Sequence, residues 1–201
     1  MLSPRYPEIR IKYAWLLANA TSKPLQEYWG PNQETRSPEE CEEIAQKYRE
    51  FWKPYEKEVM KAMYDVIGLE YHANVIDVYV APWFYAFSDP LVIGVIFDTQ
   101  EKLVTNLTHE LLHRLFMDNR SHADVKNLEE WERLFGKREF VTLVHIPVYA
   151  MMHAIFIDQL KKPEMLDNEK RETKEYKDAW EYVEKHGYKE IIEKLKNQYK
   201  K

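Results

Sequence analysis

His109-Glu110-Leu111-Leu112-His113 brings together three groups whose types and spacing can do chemistry. On a helix, residues four apart share a face, so the two imidazoles project side by side. A tetrahedral zinc ion takes imidazole nitrogens at about 2.0–2.1 Å, and this pair offers two of them. Glu110 lies roughly 100° around the helix from His109. From there its carboxylate reaches a water beside the metal without being a ligand, which is what a general base needs. Val104, Leu107, Leu111 and Leu115 form an apolar stripe on the other side. That stripe is expected to anchor the helix in a core and turn the histidines toward a cleft. The plain alternative is a chance spacing, with both histidines solvated or packed.

A catalytic zinc needs a third protein ligand and an open position. The downstream candidates are His122, Glu139, His145 and His153. Glu129, Glu130 and Glu132 lie on an amphipathic stretch and read as a solvated face. Segment 139–158 is mostly apolar but carries one polar stripe. With His145 at 0° on a helical wheel, Tyr149, Thr142, His153 and Glu139 fall at about 40°, 60°, 80° and 120°. Buried polar groups need partners. A facing metal would supply them; so would bonds within the stripe or to backbone. Tyr149, one turn from His145, is a candidate donor to the oxyanion formed on attack, or else a core tyrosine. His153 is a candidate supporting residue.

The elements that position these groups follow from local signals. Residues 8–20 read as a helix and residues 21–38 as a loop with three prolines. Ser37-Pro38-Glu39-Glu40 starts a helix expected to run to about Gly68, with Ser37 as N-cap and Glu40 closing a capping box. Asn74–Val80 reads as a strand, Asp89-Pro90 as a turn and Leu91–Phe97 as a second strand. Gly94 in that strand would permit close approach of another backbone. Asp98 and Glu101 resemble a capping box for the metal-motif helix, expected to end near Met117. A loop over 118–122, a helix over Asp124–Phe135 stopped by Gly136, and a long apolar helix over 139–160 kinked at Pro147 complete the core. Residues 161–201 are charged and helical in pattern, with Trp180, Tyr182, Ile191, Ile192 and Leu195 to bury.

The expected fold is therefore α+β, mainly helical with a small β-sheet. One domain is expected over 1–201: an N-terminal helical part (1–70), a metal-binding core (71–160) and a charged helical tail (161–201). Five glycines in 201 residues favour helices over turn-rich β structure. Abundant Lys and Glu is a balance common in heat-adapted proteins. A net charge of −5 leaves no footprint for nucleic acid or an anionic membrane. Cys41 is the sole cysteine, so an internal disulfide and a cysteine zinc cluster are excluded. The N-terminus lacks a signal-like apolar stretch and no apolar run reads as membrane-spanning, so a soluble, cytoplasmic protein is expected.

His109-Glu110-Leu111-Leu112-His113, preceded by the strand Leu91–Phe97, resembles the zincin metallopeptidases over about residues 91–116. The resemblance implies a zincin-like core in which His109 and His113 bind one zinc ion and Glu110 activates water. It also implies an extended peptide pairing with the strand Leu91–Phe97, with Trp83, Phe84, Tyr85 and Phe87 shaping the cleft or packing the core. His145-Ile-Pro-Val-Tyr-Ala150 looks like the second ligand helix of small His-ligated proteins of this type, which favours His145 as third ligand. Glu139 is the alternative, nearer the spacing of Glu-ligated members, followed by His153 or His122. The metzincin extension is absent: Phe116 stands where glycine is needed and Asn119 where histidine is needed. An Asn-Glu-x-x-x-Asp segment of the thermolysin-like kind is not present as such. The implied function is zinc-dependent hydrolysis of a peptide or protein substrate. The alternatives are a zinc hydrolase of another substrate, a zinc-binding protein that uses the fold for structure or partner binding, and a helical interaction protein with residues 161–201 as its arm.

Overall fold

Glu8–Tyr13 (β1) is a strand, and only residues 15–20 of the expected N-terminal helix are helical, in a computed structural model that describes residues 6–20, 36–119, 124–169 and 172–199. Ile9 and Ile11 are buried while Glu8 and Arg10 are exposed. That period of two is a strand signal.

Pro38–Trp52 (α1) starts as expected. Ser37 Oγ accepts from Glu40 N at 3.2 Å, and Ser37 N donates to Glu40 Oε2 at 2.7 Å. The helix does not continue to Gly68. A turn over 53–55 separates it from Glu56–Ile67 (α2), because Pro54 has no N–H to donate and crowds the preceding turn. Gly68 then ends α2 in the left-handed conformation, φ 76°.

Val75–Val80 (β2), Ala86–Ser88 (β3) and Leu91–Ile93 (β4) join β1 in one sheet of order β1-β2-β4-β3. β1 pairs with β2 and β2 with β4 in parallel; β3 pairs with β4 antiparallel. This corrects the expected strand Leu91–Phe97 twice. It stops at Ile93, and it lies inside the sheet, so the outer edge belongs to β3. The reason sits at Gly94 and Tyr48. Gly94 N donates to Tyr85 O at 2.8 Å. The Tyr48 hydroxyl donates to Gly94 O at 3.0 Å and accepts from Phe97 N at 2.9 Å, drawing residues 94–97 off the sheet toward α1. A Cβ at position 94 would overlap the Phe84 carbonyl oxygen, a backbone atom that cannot swing aside. Gly94→Ala is accordingly expected to destabilise the fold by about 3 kcal/mol, read as a lowered denaturation midpoint. A midpoint within error of wild type would show that the Phe84–Tyr85 backbone gives way freely.

Gln100–Asp118 (α3) carries His109-Glu110-Leu111-Leu112-His113. Its N-cap is Thr99, which accepts from Lys102 N at 3.3 Å; Asp98 instead pairs with Lys102 Nζ at 2.8 Å. The expected cap was thus one residue early. Val104, Leu107, Leu111 and Leu115 are fully buried, as the stripe required. Arg114 fixes α3 against the β3–β4 turn, reaching Asp118 at 2.8 Å and Asp89 at 3.1 Å.

Asp124–Phe135 (α4) ends at Gly136, and Phe140–His153 (α5) follows with Pro147 inside it. The helix continues as a π-helical turn over Ala154–Gln159. Phe140–Gln159 is long and apolar enough to cross a bilayer, contrary to the reading that no run reached that length. Its most apolar window is 83% buried inside the fold, as in the core helix of a soluble protein. A 3₁₀ turn (Pro163–Asn168) leads to Lys174–His186 (α6) and Tyr188–Tyr199 (α7). Among the expected tail residues Tyr182, Ile191, Ile192 and Leu195 are buried, while Trp180 is half-buried. One apolar cluster runs from Ile9 to Leu195, so the C-terminal segment shares the core rather than standing off as an arm.

Candidate metal centre

α3 and α5 bring three imidazoles to one point. His113 Nε2 lies 3.0 Å from His109 Nε2 and 3.2 Å from His145 Nε2, and all three possible ligand atoms lie within 4.8 Å of one another. Tetrahedral bonds of about 2.0–2.1 Å put ligand nitrogens about 3.3 Å apart, close to the two short separations. The donor chemistry fits as well. His145 Nδ1 faces the Val141 carbonyl at 2.7 Å, and a carbonyl only accepts, so that nitrogen carries the proton. Burial, with His109 nearby, pushes the His145 pKa down to about 3, so the ring is neutral and its Nε2 presents a lone pair. A proton on His113 Nε2 can point at only one of its two neighbours, whereas a cation between the rings would satisfy all three.

The other sequence candidates are elsewhere. Glu139 is exposed at the start of α5. His153 stacks on Tyr188 and packs at a tilt against Trp180, at 5.6 and 4.6 Å between ring centroids. His122 lies outside the described residues. The polar stripe of α5 therefore divides its partners. His145 turns to the two histidines of α3, while Thr142 donates to Glu175 O at 3.1 Å and His153 packs on α6 and α7.

Glu110, 8% exposed, sits beside the imidazoles. Burial pushes its pKa up to about 7; His109 pulls the other way and Glu169 pushes with it. A general base is most useful near the pH at which it works. Burial, the largest single influence, would lower the pKa of His109, yet the Glu169 and Glu110 carboxylates together outweigh it and the net direction is up. Glu169 Oε1 is 3.0 Å from His109 Nδ1, within ion-pair distance.

Two cavities meet here. One, of about 350 Å³, is bounded by β3, by Phe116, Trp131 and Phe140, and by all three histidines. The other, of about 160 Å³, is bounded by Tyr85, Asn106, Glu110, Glu169, Glu172 and Tyr176, among others. Tyr176 lines both, its ring 4.5 Å from that of His145. Burial raises its pKa, with Glu110 and Glu169 adding to the shift, so its hydroxyl stays protonated. Tyr149 is fully buried behind the imidazoles, 5.8 Å from His109 and 5.7 Å from His145, and lines neither cavity. Of the four early aromatics, Tyr85 and Phe87 reach the cavities; Trp83 and Phe84 pack elsewhere.

Sequence reasoning missed Glu169 and Tyr176. Both lie in the charged C-terminal segment with no periodic or motif signal, and only the return of the chain across α3 and α5 brings them to the site. Comparison with protein families, with curated protein sequences and with solved structures gave no match.

Proposed function

We propose that the protein is a zinc-dependent metallopeptidase with a zincin-like core. The observation that carries the reading is the convergence of His109, His113 and His145 nitrogens beside the buried Glu110 carboxylate. The three histidines hold the ion, which when bound supplies Lewis-acid polarisation of a carbonyl and makes a water easier to deprotonate. Glu110 takes the proton from the attacking water and returns it to the leaving amine. An extended peptide adds to the edge of β3, which no other strand covers among the described residues and whose residues Ala86–Ser88 line the larger cavity. This places the substrate strand one strand further out than Leu91–Phe97. A zinc hydrolase of another substrate class shares the histidines and Glu110 but leaves that edge without a role.

The hydroxyl that donates to the developing oxyanion is assigned to Tyr176 rather than Tyr149, because Tyr176 faces the cavities. Tyr176→Phe is expected to lower kcat about 10- to 100-fold with zinc content unchanged, and Tyr149→Phe to leave kcat within about twofold. The reverse pattern would return the role to Tyr149.

The direct test is metal removal. Purified protein should carry about one zinc per chain, cleave a peptide library, lose cleavage on exhaustive chelation and regain it with about one equivalent of zinc. Cleavage that survives chelation would sink the proposal. Zinc at stoichiometric level with no peptide cleavage would leave a zinc hydrolase of another substrate class or a binding or structural role.

A further inference from the structure

His145 and His153 satisfy their Nδ1 atoms locally, each facing the carbonyl four residues earlier on α5: Val141 O at 2.7 Å and Tyr149 O at 2.8 Å. His109 does not. Its Nδ1 is buried with no hydrogen bond to complete it, and the Glu169 carboxylate stands 3.0 Å away. Both side chains are enclosed, at 6% and 8% exposure. A buried ring N–H without an acceptor costs free energy, and a buried carboxylate without a partner costs more. Each group is the remedy for the other. We propose that Glu169 is a positioning residue of the metal centre: its carboxylate accepts a hydrogen bond from His109 Nδ1–H, which leaves the ring's lone pair on Nε2, the nitrogen turned toward His113.

The requirement comes from the ring. A neutral imidazole carries one proton, on Nδ1 or on Nε2, and an Nε2 that bears it has no lone pair for a cation. His109 Nε2 is the atom 3.0 Å from His113 Nε2, so the proton belongs on Nδ1 and needs a holder there. On His145 the Val141 carbonyl is that holder. On His109 a carboxylate does the same and adds negative charge beside a cation whose three imidazole ligands bring none. The placement is built by the fold. Thr105, one turn before His109, donates through Oγ1 to Met165 O at 3.0 Å, and Met165 and Leu166 are buried. Glu169 N donates to Leu166 O at 3.2 Å, closing the 3₁₀ turn at the carboxylate. The chain thus grips α3 at the turn before His109 and reaches the imidazole four residues later, so metal capture depends on the docked C-terminal segment. The assignment rests on the metal centre of the zinc reading and is independent of peptidase activity.

Two measurements test it. In metal-free protein at about pH 9, above the ordinary histidine range, nitrogen NMR reads which ring nitrogen of His109 bears the proton. Wild type is expected in the Nδ1–H form. Glu169→Gln should keep that form, because the amide oxygen still accepts, and Glu169→Ala should move toward the Nε2–H form. Zinc affinity is then measured on the same proteins by competition with a chromophoric chelator. Glu169→Ala should bind zinc up to about 100-fold more weakly than wild type, and Glu169→Gln about tenfold more weakly through the lost charge. Glu172→Gln removes a carboxylate from the wall of the same cavity and should stay within about threefold. If Glu169→Ala fails to fold, the isosteric Glu169→Gln still reads the contribution of the charge. A carboxylate that only anchors the C-terminal segment would, on removal, lower the melting temperature and leave tautomer and affinity alone; that result would overturn the inference. So would wild type in the Nε2–H form, or a loss in Glu172→Gln equal to that in Glu169→Gln, which would assign the effect to the general charge of the wall. Wild type that binds no zinc would remove the metal reading itself, whereas bound zinc with tautomer and affinity unchanged across the variants would remove only this one.

Discussion

Glu110→Gln is expected to lower kcat by about 10²–10⁴-fold while zinc content and fold are retained. Glutamine has the shape of glutamate but cannot take a proton from water at neutral pH. The loss corresponds to about 3–5 kcal/mol of barrier. Stability should not fall, and the reason is visible at the residue. Burial holds the Glu110 pKa up at about 7, so the folded protein disfavours its charged form. A neutral amide removes that penalty. The measurement pairs kcat on the best library peptide with metal analysis and a melting curve. Turnover within about tenfold of wild type, with zinc bound, would mean that another group activates the water. Loss of zinc alongside turnover would mean that Glu110 acts on the ligands rather than on the substrate.

The five-residue motif was legible because helix geometry translates spacing directly into direction. Four residues fix two imidazoles on one face, and the stripe Val104, Leu107, Leu111, Leu115 fixes which face is outward. Gly94 was legible for a similar reason: a glycine in a β-branched run signals a backbone neighbour, here Phe84. The errors came where two periodicities compete or where pairing is non-local. Glu8–Tyr13 becomes a strand because parallel pairing with β2, over sixty residues away, completes its hydrogen bonds. The antiparallel edge formed by Ala86–Ser88 is three residues long, too short for any periodicity to mark, yet it is the strand that faces the site. Pro54, in the turn between α1 and α2, was an explicit break signal that the apolar spacing on either side had masked.

The C-terminal segment changes the character of the centre. α3 and β3 alone would leave His109 and Glu110 open to solvent on one side. The 3₁₀ turn after Pro163 docks on α3, where Thr105 Oγ1 donates to Met165 O at 3.0 Å. That docking delivers Glu169 to His109 and α6 delivers Tyr176 to His145. The desolvation that raises the Glu110 pKa and lowers that of His145 is thus partly the work of residues 163–169 and 172–176. A segment that reads as a charged tail supplies the low-dielectric wall against which the rest of the chemistry is tuned.

His145→Ala is expected to weaken zinc binding by about 10²–10³-fold, whereas Glu139→Ala and His153→Ala should leave it within about threefold. Structural zinc sites bind with about 10–16 kcal/mol over four ligands, so each ligand is worth roughly 3–4 kcal/mol, or two to three decades in affinity. The comparison separates the three residues that sequence alone could not. His145 Nε2 stands 3.2 Å from His113 Nε2, Glu139 is exposed, and the His153 ring packs on Tyr188 and Trp180. His153→Ala should therefore lower thermal stability through lost packing with its metal affinity intact. Zinc-induced stabilisation gives an independent readout, since ligand at about 1,000 times its Kd adds about 4 kcal/mol to the native state. Wild type should show that rise in melting temperature, and His145→Ala should lose most of it at the same zinc concentration. If His145→Ala still bound zinc as tightly as wild type, the third ligand would lie elsewhere. If Glu139→Ala lost it, α5 would have to turn through about 120° to present that carboxylate, a rearrangement that the fully buried Leu143, Ile146 and Met151 oppose.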